Sequence, residues 1–217
     1  AFASVGGGFA NVADMSYVAI SGGAYNTGSV AYAVIGGGSL NDAFEDYATV
    51  SGGNSNKASG GYSVVGGGIG NSATATYAVV AGGDSNSAAS ESTTVAGGKL
   101  NTATGMYSAI TGGHGNQAEG FGSVVCGGEE NDALGPYCTV GGGYDNNVNG
   151  YASTICGGDS NDATVTHSTV AGGFGNQAKA YAATISGGQG GSALKQYSTI
   201  SGGYNNKANG FSDFVGG

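Results

Sequence analysis

The sequence repeats every fifteen residues from Phe2 to its last residue, without an insertion or a deletion. With Phe2 at position 1 of the first repeat, position 4 is always Val or Ile, and positions 6 and 7 are always Gly. Position 10 is Asn except at Gly191, and position 12 is Ala except at Gly28 and Val148. A short period that never drifts indicates one structural coil per repeat, stacked along an axis. The pattern therefore predicts a single solenoid domain over residues 1–217, with about fourteen stacked coils.

The coils are predicted to be β-structure. Paired glycines in every repeat oppose helix formation, and β-branched residues fill the columns between them, so we expect an all-β, parallel β-solenoid. Positions 2–5 are predicted to form one strand and positions 10–13 a second, with positions 2, 4, 10 and 12 facing inward. The glycines would form a corner, because they allow positive φ and close backbone approach.

Two columns are predicted to form structural ladders inside the solenoid, and the Asn side chains are expected to stack and bond the backbone rather than to bind a ligand. The predicted core ladder at position 4 comprises Val5, Ile20, Ile35, Val50, Val65, Val80, Val95, Ile110, Val125, Val140, Ile155, Val170, Ile185, Ile200 and Val215. The predicted Asn ladder at position 10 comprises Asn11, Asn26, Asn41, Asn56, Asn71, Asn86, Asn101, Asn116, Asn131, Asn146, Asn161, Asn176 and Asn206.

Two outward columns are more apolar than solvent exposure favours. Position 1 carries mainly aromatic residues, and position 3 carries Val, Ala or Thr except at Ser4 and Phe214. The interior of each coil is small, so we expect lateral association, most simply in a closed symmetric oligomer. The candidate inter-chain contacts are Tyr17, Tyr32, Tyr47, Tyr62, Tyr77, Val34, Val64 and Val79. Within residues 107–217 the aromatic residues alternate between positions 1 and 15, which gives a thirty-residue superperiod, and His167 is expected to fill space in place of a tyrosine.

The composition argues against several classes of partner. Charged residues make up 9% of the chain and the formal net charge is −9, so the chain lacks the cationic surface that nucleic acids and anionic membranes require. No apolar run is long enough for a transmembrane helix, so this segment is not expected to insert into a membrane. Both ends lie within a repeat, so we expect either that the natural chain continues or that copies meet end to end.

The chain shows no pattern that predicts catalysis, a cofactor or a firm metal site. His114 and His167 are more than three coils apart, too far to share a metal ion. The acidic residues Glu129, Glu130, Asp132, Asp159 and Asp162 are interpreted as a solvated turn surface, with a weak calcium site as the alternative. The three cysteines, Cys126, Cys138 and Cys156, are interpreted as small residues in small-residue columns, with a cross-chain disulfide left open.

The rows YSAITGGHGNQAEG, residues 107–120, and YSTISGGYNNKANG, residues 197–210, carry a specific combination of Tyr, paired Gly, Asn and Ala. This pattern resembles the head repeats of trimeric autotransporter adhesins, the YadA-like heads, and especially those of ubiquitous surface protein adhesins. The resemblance implies a left-handed parallel β-roll with three chains side by side, carried on an outer-membrane stalk. It also implies binding to matrix proteins or cell receptors, although it transfers no binding motif to numbered residues.

Three functions follow from these features. The first is a non-enzymatic adhesin head at the cell surface, on the outer membrane if bacterial, that binds matrix, host or neighbouring-cell surfaces through the variable positions 8, 9, 11 and 13 of its side. The second is a structural subunit of an extracellular filament or sheath. The third is an ice-binding solenoid that uses the threonine column Thr139, Thr154, Thr169, Thr184 and Thr199.

Overall fold

The computed structural model describes residues 2–217 and confirms the predicted fold class. The described chain is an all-β, parallel β-solenoid of about fourteen coils of about fifteen residues, without a helix. Packing divides the chain after Tyr107 into a first unit and a second unit, Ser108–Gly217. Each unit is described by itself below.

Each coil of the first unit contributes one strand to each of two parallel sheets. Strands paired with their sequence-equivalents fifteen residues away, such as Val64 with Val79 and Val65 with Val80, keep the register constant. The sheet of position 3 and 4 residues contains β1 (Ser4–Val5), β3 (Ala19–Ile20), β5 (Val34–Ile35), β7 (Thr49–Val50), β9 (Val64–Val65), β11 (Val79–Val80) and β13 (Thr94–Val95). The sheet of position 11 and 12 residues contains β2 (Val12–Ala13), β4 (Thr27–Gly28), β6 (Asp42–Ala43), β8 (Lys57–Ala58), β10 (Ser72–Ala73), β12 (Ser87–Ala88) and β14 (Thr102–Ala103).

The second unit has the same two kinds of sheet. Its position 3 and 4 strands are β15 (Ala109–Ile110), β17 (Val124–Val125), β19 (Thr139–Val140), β21 (Thr154–Ile155), β23 (Thr169–Val170), β25 (Thr184–Ile185), β27 (Thr199–Ile200) and β29 (Phe214–Val215). Its position 11 and 12 strands are β16 (Gln117–Ala118), β18 (Asp132–Ala133), β20 (Asn147–Val148), β22 (Asp162–Ala163), β24 (Gln177–Ala178), β26 (Ser192–Ala193) and β28 (Lys207–Ala208).

The strands are shorter than the sequence pattern predicts. Each spans two residues, at positions 3–4 and 11–12, instead of four residues at positions 2–5 and 10–13. The reason is that each coil also forms a third parallel contact, a single bridge at position 8, as between Asn54 and Ile69. Fifteen residues that close around three sides have to turn too often to leave long strands.

Two of the corners are made by residues in the left-handed region. At position 1, Tyr17 has a φ of 65°, and at position 9, Tyr25 has a φ of 57°. This conformation costs an L-residue about 1 kcal/mol or more, so the surrounding backbone has to enforce it. It does so by hydrogen bonds to the preceding coil, such as the Tyr25 N–H donating to the Phe9 carbonyl oxygen at 2.9 Å.

The predicted glycine corner lies at positions 6 and 7, and position 7 is the one that requires glycine. Gly83, for example, has a φ of 98°, and a Cβ there would overlap the carbonyl oxygen of Gly98 in the next coil. At the preceding position, a Cβ on Gly82 would meet only the Gly67 carbonyl oxygen, at 3.9 Å. The corner therefore brings successive coils into direct backbone contact at one glycine per coil.

The core consists of four inward columns at positions 2, 4, 10 and 12. The predicted core-ladder residues from Ile20 to Ile200 are at most 1% exposed, whereas Val5 is 44% exposed and Val215 is half-buried in the outermost described coils. The Asn ladder is buried from Asn26 to Asn176, with Asn11 and Asn206 half-buried.

The buried asparagines bond the backbone of their own coil and of the next one. The Asn71 Nδ2 group donates to the carbonyl oxygens of Gly67, at 2.8 Å, and Gly83, at 2.9 Å. Its Oδ1 atom accepts the backbone N–H of Asn86 at 3.0 Å. The Asn column thus bonds carbonyl groups at the glycine corner, and the Gly83 carbonyl oxygen also accepts the backbone N–H of Ile69 at 2.9 Å.

Candidate binding faces

The most continuous outward feature of the first unit is a column of tyrosine rings at position 1, here called the tyrosine ladder: Tyr17, Tyr32, Tyr47, Tyr62 and Tyr77. Successive rings are stacked, with centroids 4.9, 4.8 and 4.7 Å apart and interplanar angles of 1–5° from Tyr17 to Tyr62. The rings remain 43–53% exposed. The left-handed backbone at position 1 places the Cβ atoms in one line at the coil spacing, which is within the range of ring stacking.

The ladder is interrupted where Ser92 occupies position 1. The backbone continues unchanged there, because Ser92 has a φ of 55° and its N–H donates to the Thr76 carbonyl oxygen at 3.0 Å. Tyr107 stands at the next position 1, and its N–H donates to the Glu91 carbonyl oxygen at 3.1 Å. One ring is therefore missing from an otherwise regular column.

The valines predicted as inter-chain contacts lie on the outer surface of the position 3 and 4 sheet. Val34 is 41% exposed, and Val64 and Val79 are half-buried. Val64 and Val79 pair directly in adjacent strands. These side chains form an aliphatic strip on the outer surface of that sheet, with Thr49 between Val34 and Val64, and their column is two positions along the coil from the tyrosine ladder.

The second unit has a different aromatic column. Rings from positions 15 and 1 alternate and meet edge to face, as Tyr137 does with Tyr151 at 5.6 Å and 76°. His167 lies between Tyr151 and Tyr181, with ring centroids 5.9 and 5.7 Å away. The imidazole therefore occupies a ring site within the column. His167 at position 1 has the left-handed backbone, with a φ of 60°, whereas Tyr151 and Tyr181 at position 15 do not, so the two kinds of ring start from different backbone conformations.

The five acidic residues singled out in the sequence lie at position 8 (Glu129, Asp159), position 9 (Glu130) and position 11 (Asp132, Asp162). Burial, followed by the nearby charges of Glu119, Asp145 and Glu130, raises the pKa of Asp132 above its usual value. Asp132 pairs with Asn147 in the next strand, and one oxygen of each side chain is buried without a hydrogen-bond partner. Among residues 2–217, no three His, Cys, Asp or Glu side chains are grouped closely enough to hold a metal ion.

The remaining predicted residues occupy separate places in the second unit. Cys126 and Cys156 are exposed free thiols, whereas Cys138 is buried and its Sγ donates to the Gly150 carbonyl oxygen at 2.9 Å. Burial raises the pKa of the Cys138 thiol. His114 pairs with Glu129 at 3.3 Å on the exposed surface.

The threonine column of the second unit stands in register on neighbouring strands, for example Thr154 beside Thr169. Its side chains, Thr139, Thr154, Thr169, Thr184 and Thr199, are half-buried.

A shallow depression of about 480 Å³ borders the tyrosine ladder of the first unit. It lies at positions 13–15 of consecutive coils and is lined by Glu45, Ser59, Gly60, Gly61, Thr74, Ala75, Thr76 and Glu91. Gly60 and Gly61 lack side chains where the preceding coil carries Glu45 and Asp46 and the next carries Ala75 and Thr76, which leaves room for the depression. Its lining holds two carboxylates and no basic group.

No helix among residues 2–217 has the length and apolar character needed to cross a membrane.

A comparison with protein-family models matches residues 168–179 to the ubiquitous surface protein adhesin repeat. The matched residues cover positions 2–13 of one coil, which include strands β23 and β24 and the ladder residue Asn176. A comparison of the chain with curated proteins gave no significant match. An adhesin-type repeat within a repetitive solenoid indicates a non-enzymatic, adhesin-like protein of the cell surface or extracellular space.

Proposed function

We propose that this chain is an adhesin head of the trimeric autotransporter kind, which holds a partner surface along the tyrosine ladder of its first unit. The observation that carries the proposal is the ladder itself. Five half-exposed rings in a fixed line form a rigid, amphipathic edge that loses little side-chain entropy when it is covered. The adhesin-repeat match to one coil supports the same function.

The two predicted contact columns suit different partners. The ring faces of the tyrosine ladder are covered by their neighbours, so the edges and hydroxyl groups remain for a polar partner. The aliphatic strip of Val34, Val64 and Val79 has no comparable cover among the described residues and suits a lasting contact with like copies. We therefore assign the strip to lateral association, most simply of three copies side by side, and the ladder to the foreign surface.

The test of the binding function is adhesion of the full chain to immobilised matrix proteins and to cells. The variant Tyr32→Ser/Tyr47→Ser/Tyr62→Ser removes three rings and should reduce adhesion about tenfold or more, since buried aromatic residues dominate binding energy. Serine is compatible with this backbone, because Ser92 and Ser212 already occupy position 1 with φ of 55° and 53°.

The matched control is Tyr25→Ser, which removes an equally exposed ring (52%) from position 9. Ser55 and Ser85 already stand at that position. Adhesion that is unchanged in the triple variant, or lost equally in the control, would contradict the assignment to the tyrosine ladder.

Lateral association has its own measurement. Substituting Val34, Val64 and Val79 together by Lys should convert the oligomer to single chains in sedimentation analysis, because three charges cannot be buried unpaired. Electron micrographs that show continuous filaments of the native protein would instead favour the structural role.

A further inference from the structure

The gap in the tyrosine ladder at Ser92 has the shape of a binding slot. Among residues 2–217, Tyr62 is the only ring that contacts the Tyr77 ring, at 5.3 Å, and it covers one face. The other face points along the column to the level of Ser92, whose side chain is too small to cover it. Tyr77 is 53% exposed, compared with 43% for Tyr47 and 50% for Tyr62, which each have a ring on both sides.

The height of the slot fits one planar group. Tyr77 and Tyr107 are two coils apart, which corresponds to about 9.6 Å at about 4.8 Å per coil. The intact part of the ladder places one ring in each coil, at 4.7–4.9 Å. A single flat group at the level of Ser92 would therefore continue the stack with the spacing that the tyrosines have among themselves.

The electrostatic surroundings of the slot favour a cation. Glu91 directly precedes Ser92 and lines the depression that runs beside the ladder to Glu45. Asp46 lies next to Tyr47 and contributes to raising the pKa of that phenol, after burial and the neighbouring phenols. Positions 13–15 and 1 of the described first unit carry no Lys or Arg, and the whole chain has a formal net charge of −9.

We propose that the slot at Ser92 binds the guanidinium group of an arginine from a basic segment of the partner protein. The group would lie flat on the open face of Tyr77 and pair with the Glu91 carboxylate, while further basic residues of the segment follow the depression toward Glu45. This inference rests on the proposed function, because it names the chemistry of the partner held at the tyrosine ladder. Residues 1–217 contain no Arg, so they do not supply the guanidinium themselves.

Arginine fits the slot better than the alternatives. The guanidinium is planar and stacks on aromatic faces while its N–H groups bind a carboxylate, whereas the lysine ammonium is a compact, strongly hydrated charge. A neutral sugar could also stack on Tyr77, but it would leave the acidic rim without a counter-charge.

In the test, the full chain is titrated separately with a blocked Gly-Arg-Gly-Arg-Gly peptide, with its lysine counterpart and with a neutral oligosaccharide. Binding is measured by calorimetry and by amide NMR. The arginine peptide should bind about fivefold or more tightly than the lysine peptide. The largest NMR shifts should fall on Tyr77, Glu91 and Ser92.

The variant Ser92→Tyr fills the slot with a residue that already stands at position 1 in the five coils of the tyrosine ladder, and should abolish this binding. Glu91→Gln should weaken it about threefold, with a smaller dependence on salt.

Two further variants make matched new gaps. Tyr47→Ser opens a gap beside Asp46 and should add a second arginine site, whereas Tyr32→Ser opens one beside Ala31 and should not. Equal binding of both peptides, preferred binding of the oligosaccharide, or arginine binding that survives Ser92→Tyr would overturn the proposal. If peptide binding fails while adhesion still depends on the tyrosine ladder, the slot is wrong and the proposed function stands. If adhesion does not depend on the tyrosine ladder while the arginine peptide still binds at Ser92, the proposed function is wrong and the slot stands.

Discussion

At the scale of single residues, Asn71 shows how one residue joins three coils. Its amide bonds Gly67 in its own coil and Gly83 and Asn86 in the next, and its backbone N–H donates to the Oδ1 atom of Asn56 in the previous one. The same pattern recurs along the column, so the buried polar ladder is a bonding element of the core and not a recognition site.

Asn71→Ala should lower the free energy of unfolding by about 3 kcal/mol, because three hydrogen bonds at about 1 kcal/mol each are lost in a buried place. Chemical denaturation measures the change. The control Asn54→Ala removes an exposed amide whose one side-chain bond within residues 2–217 is to Ser55, and should change stability by less than about 0.5 kcal/mol. A loss no larger than the control's would show that the ladder contributes nothing to stability.

The neighbouring glycines Gly82 and Gly83 allow a paired test of the corner. Gly83→Ala should cost about 2–4 kcal/mol, because its φ is left-handed and its new methyl group would meet the Gly98 backbone. Gly82→Ala should change stability by less than about 1 kcal/mol, since only ordinary contact at 3.9 Å awaits its methyl group. Thermal melting of both variants checks this, and equal effects would refute the explanation of the corner.

Asp132 gives a prediction about pH. Its pKa is raised by burial and by nearby carboxylates, so the folded chain binds this proton more tightly than the unfolded chain. Above the folded pKa, the charged carboxylate lowers the free energy of unfolding by its full amount. The free energy of unfolding should therefore rise as the pH falls through the folded pKa toward the usual value near 3.8.

Asp132→Asn removes the charge and therefore that cost. Asn already stands at the same position of the next coil, as Asn147. After allowance for solvent screening, it should stabilise the chain by a few tenths of a kcal/mol at pH 7. Melting curves at pH 7 and pH 4 should show the advantage shrinking at the lower pH. An advantage that stays constant between them would contradict the assignment to ionisation.

At the scale of elements, the inward columns and the glycine corner could be predicted from sequence, and the left-handed corners at positions 1 and 9 could not. Val, Ala and Asn recur at fixed spacing because the core admits little else, so the periodicity gives their direction. The left-handed corner residues at positions 1 and 9 are more often Tyr or Leu than Gly, and these types seldom adopt that backbone. The signal available was the glycine at position 9 of several coils, Gly70, Gly115, Gly175 and Gly190.

The tyrosine ladder could be located from sequence, but its stacking could not, because it depends on that same left-handed corner. Ser92→Tyr should raise the free energy of unfolding by about 1 kcal/mol, since it adds ring contacts worth about 0.5–1.5 kcal/mol each. Thermal melting measures the gain. The comparison variant is Ser212→Tyr, which adds a ring at position 1 of the second unit, where Phe211 already supplies one at position 15. A loss of stability would show that the gap does not have the dimensions of a ring.

At the scale of the whole chain, repetition makes stability a sum over neighbouring coils. Within the first unit, deletion of residues 47–61 joins Asp46 to Tyr62 and removes one complete coil while keeping every column in phase. We expect the shortened chain to fold with a modest decrease in melting temperature. Deletion of residues 47–60 leaves one extra residue and should disrupt the ladders at the junction, seen as faster proteolysis there. Equal behaviour of the two deletions would contradict the columnar account.

The fold class was predictable for the whole chain because a strict period constrains backbone and core together. Function was less predictable, because the outward columns of Thr, Asp, Lys and Tyr vary without changing the coil. The adhesin-repeat match reaches one coil, and the features that suit binding, such as the stacked rings and the gap at Ser92, depend on how outward residues of separate coils line up.

The constant register of the parallel strands turns sequence distance into physical length. Within either unit, fifteen residues correspond to about 4.8 Å, and two outward groups in the same column are always a whole number of such steps apart. A ligand that reads several of these groups must present its own at the same pitch. The addition or loss of one coil would therefore move every later outward group of the solenoid along the axis by one such step, and would leave the group itself unchanged.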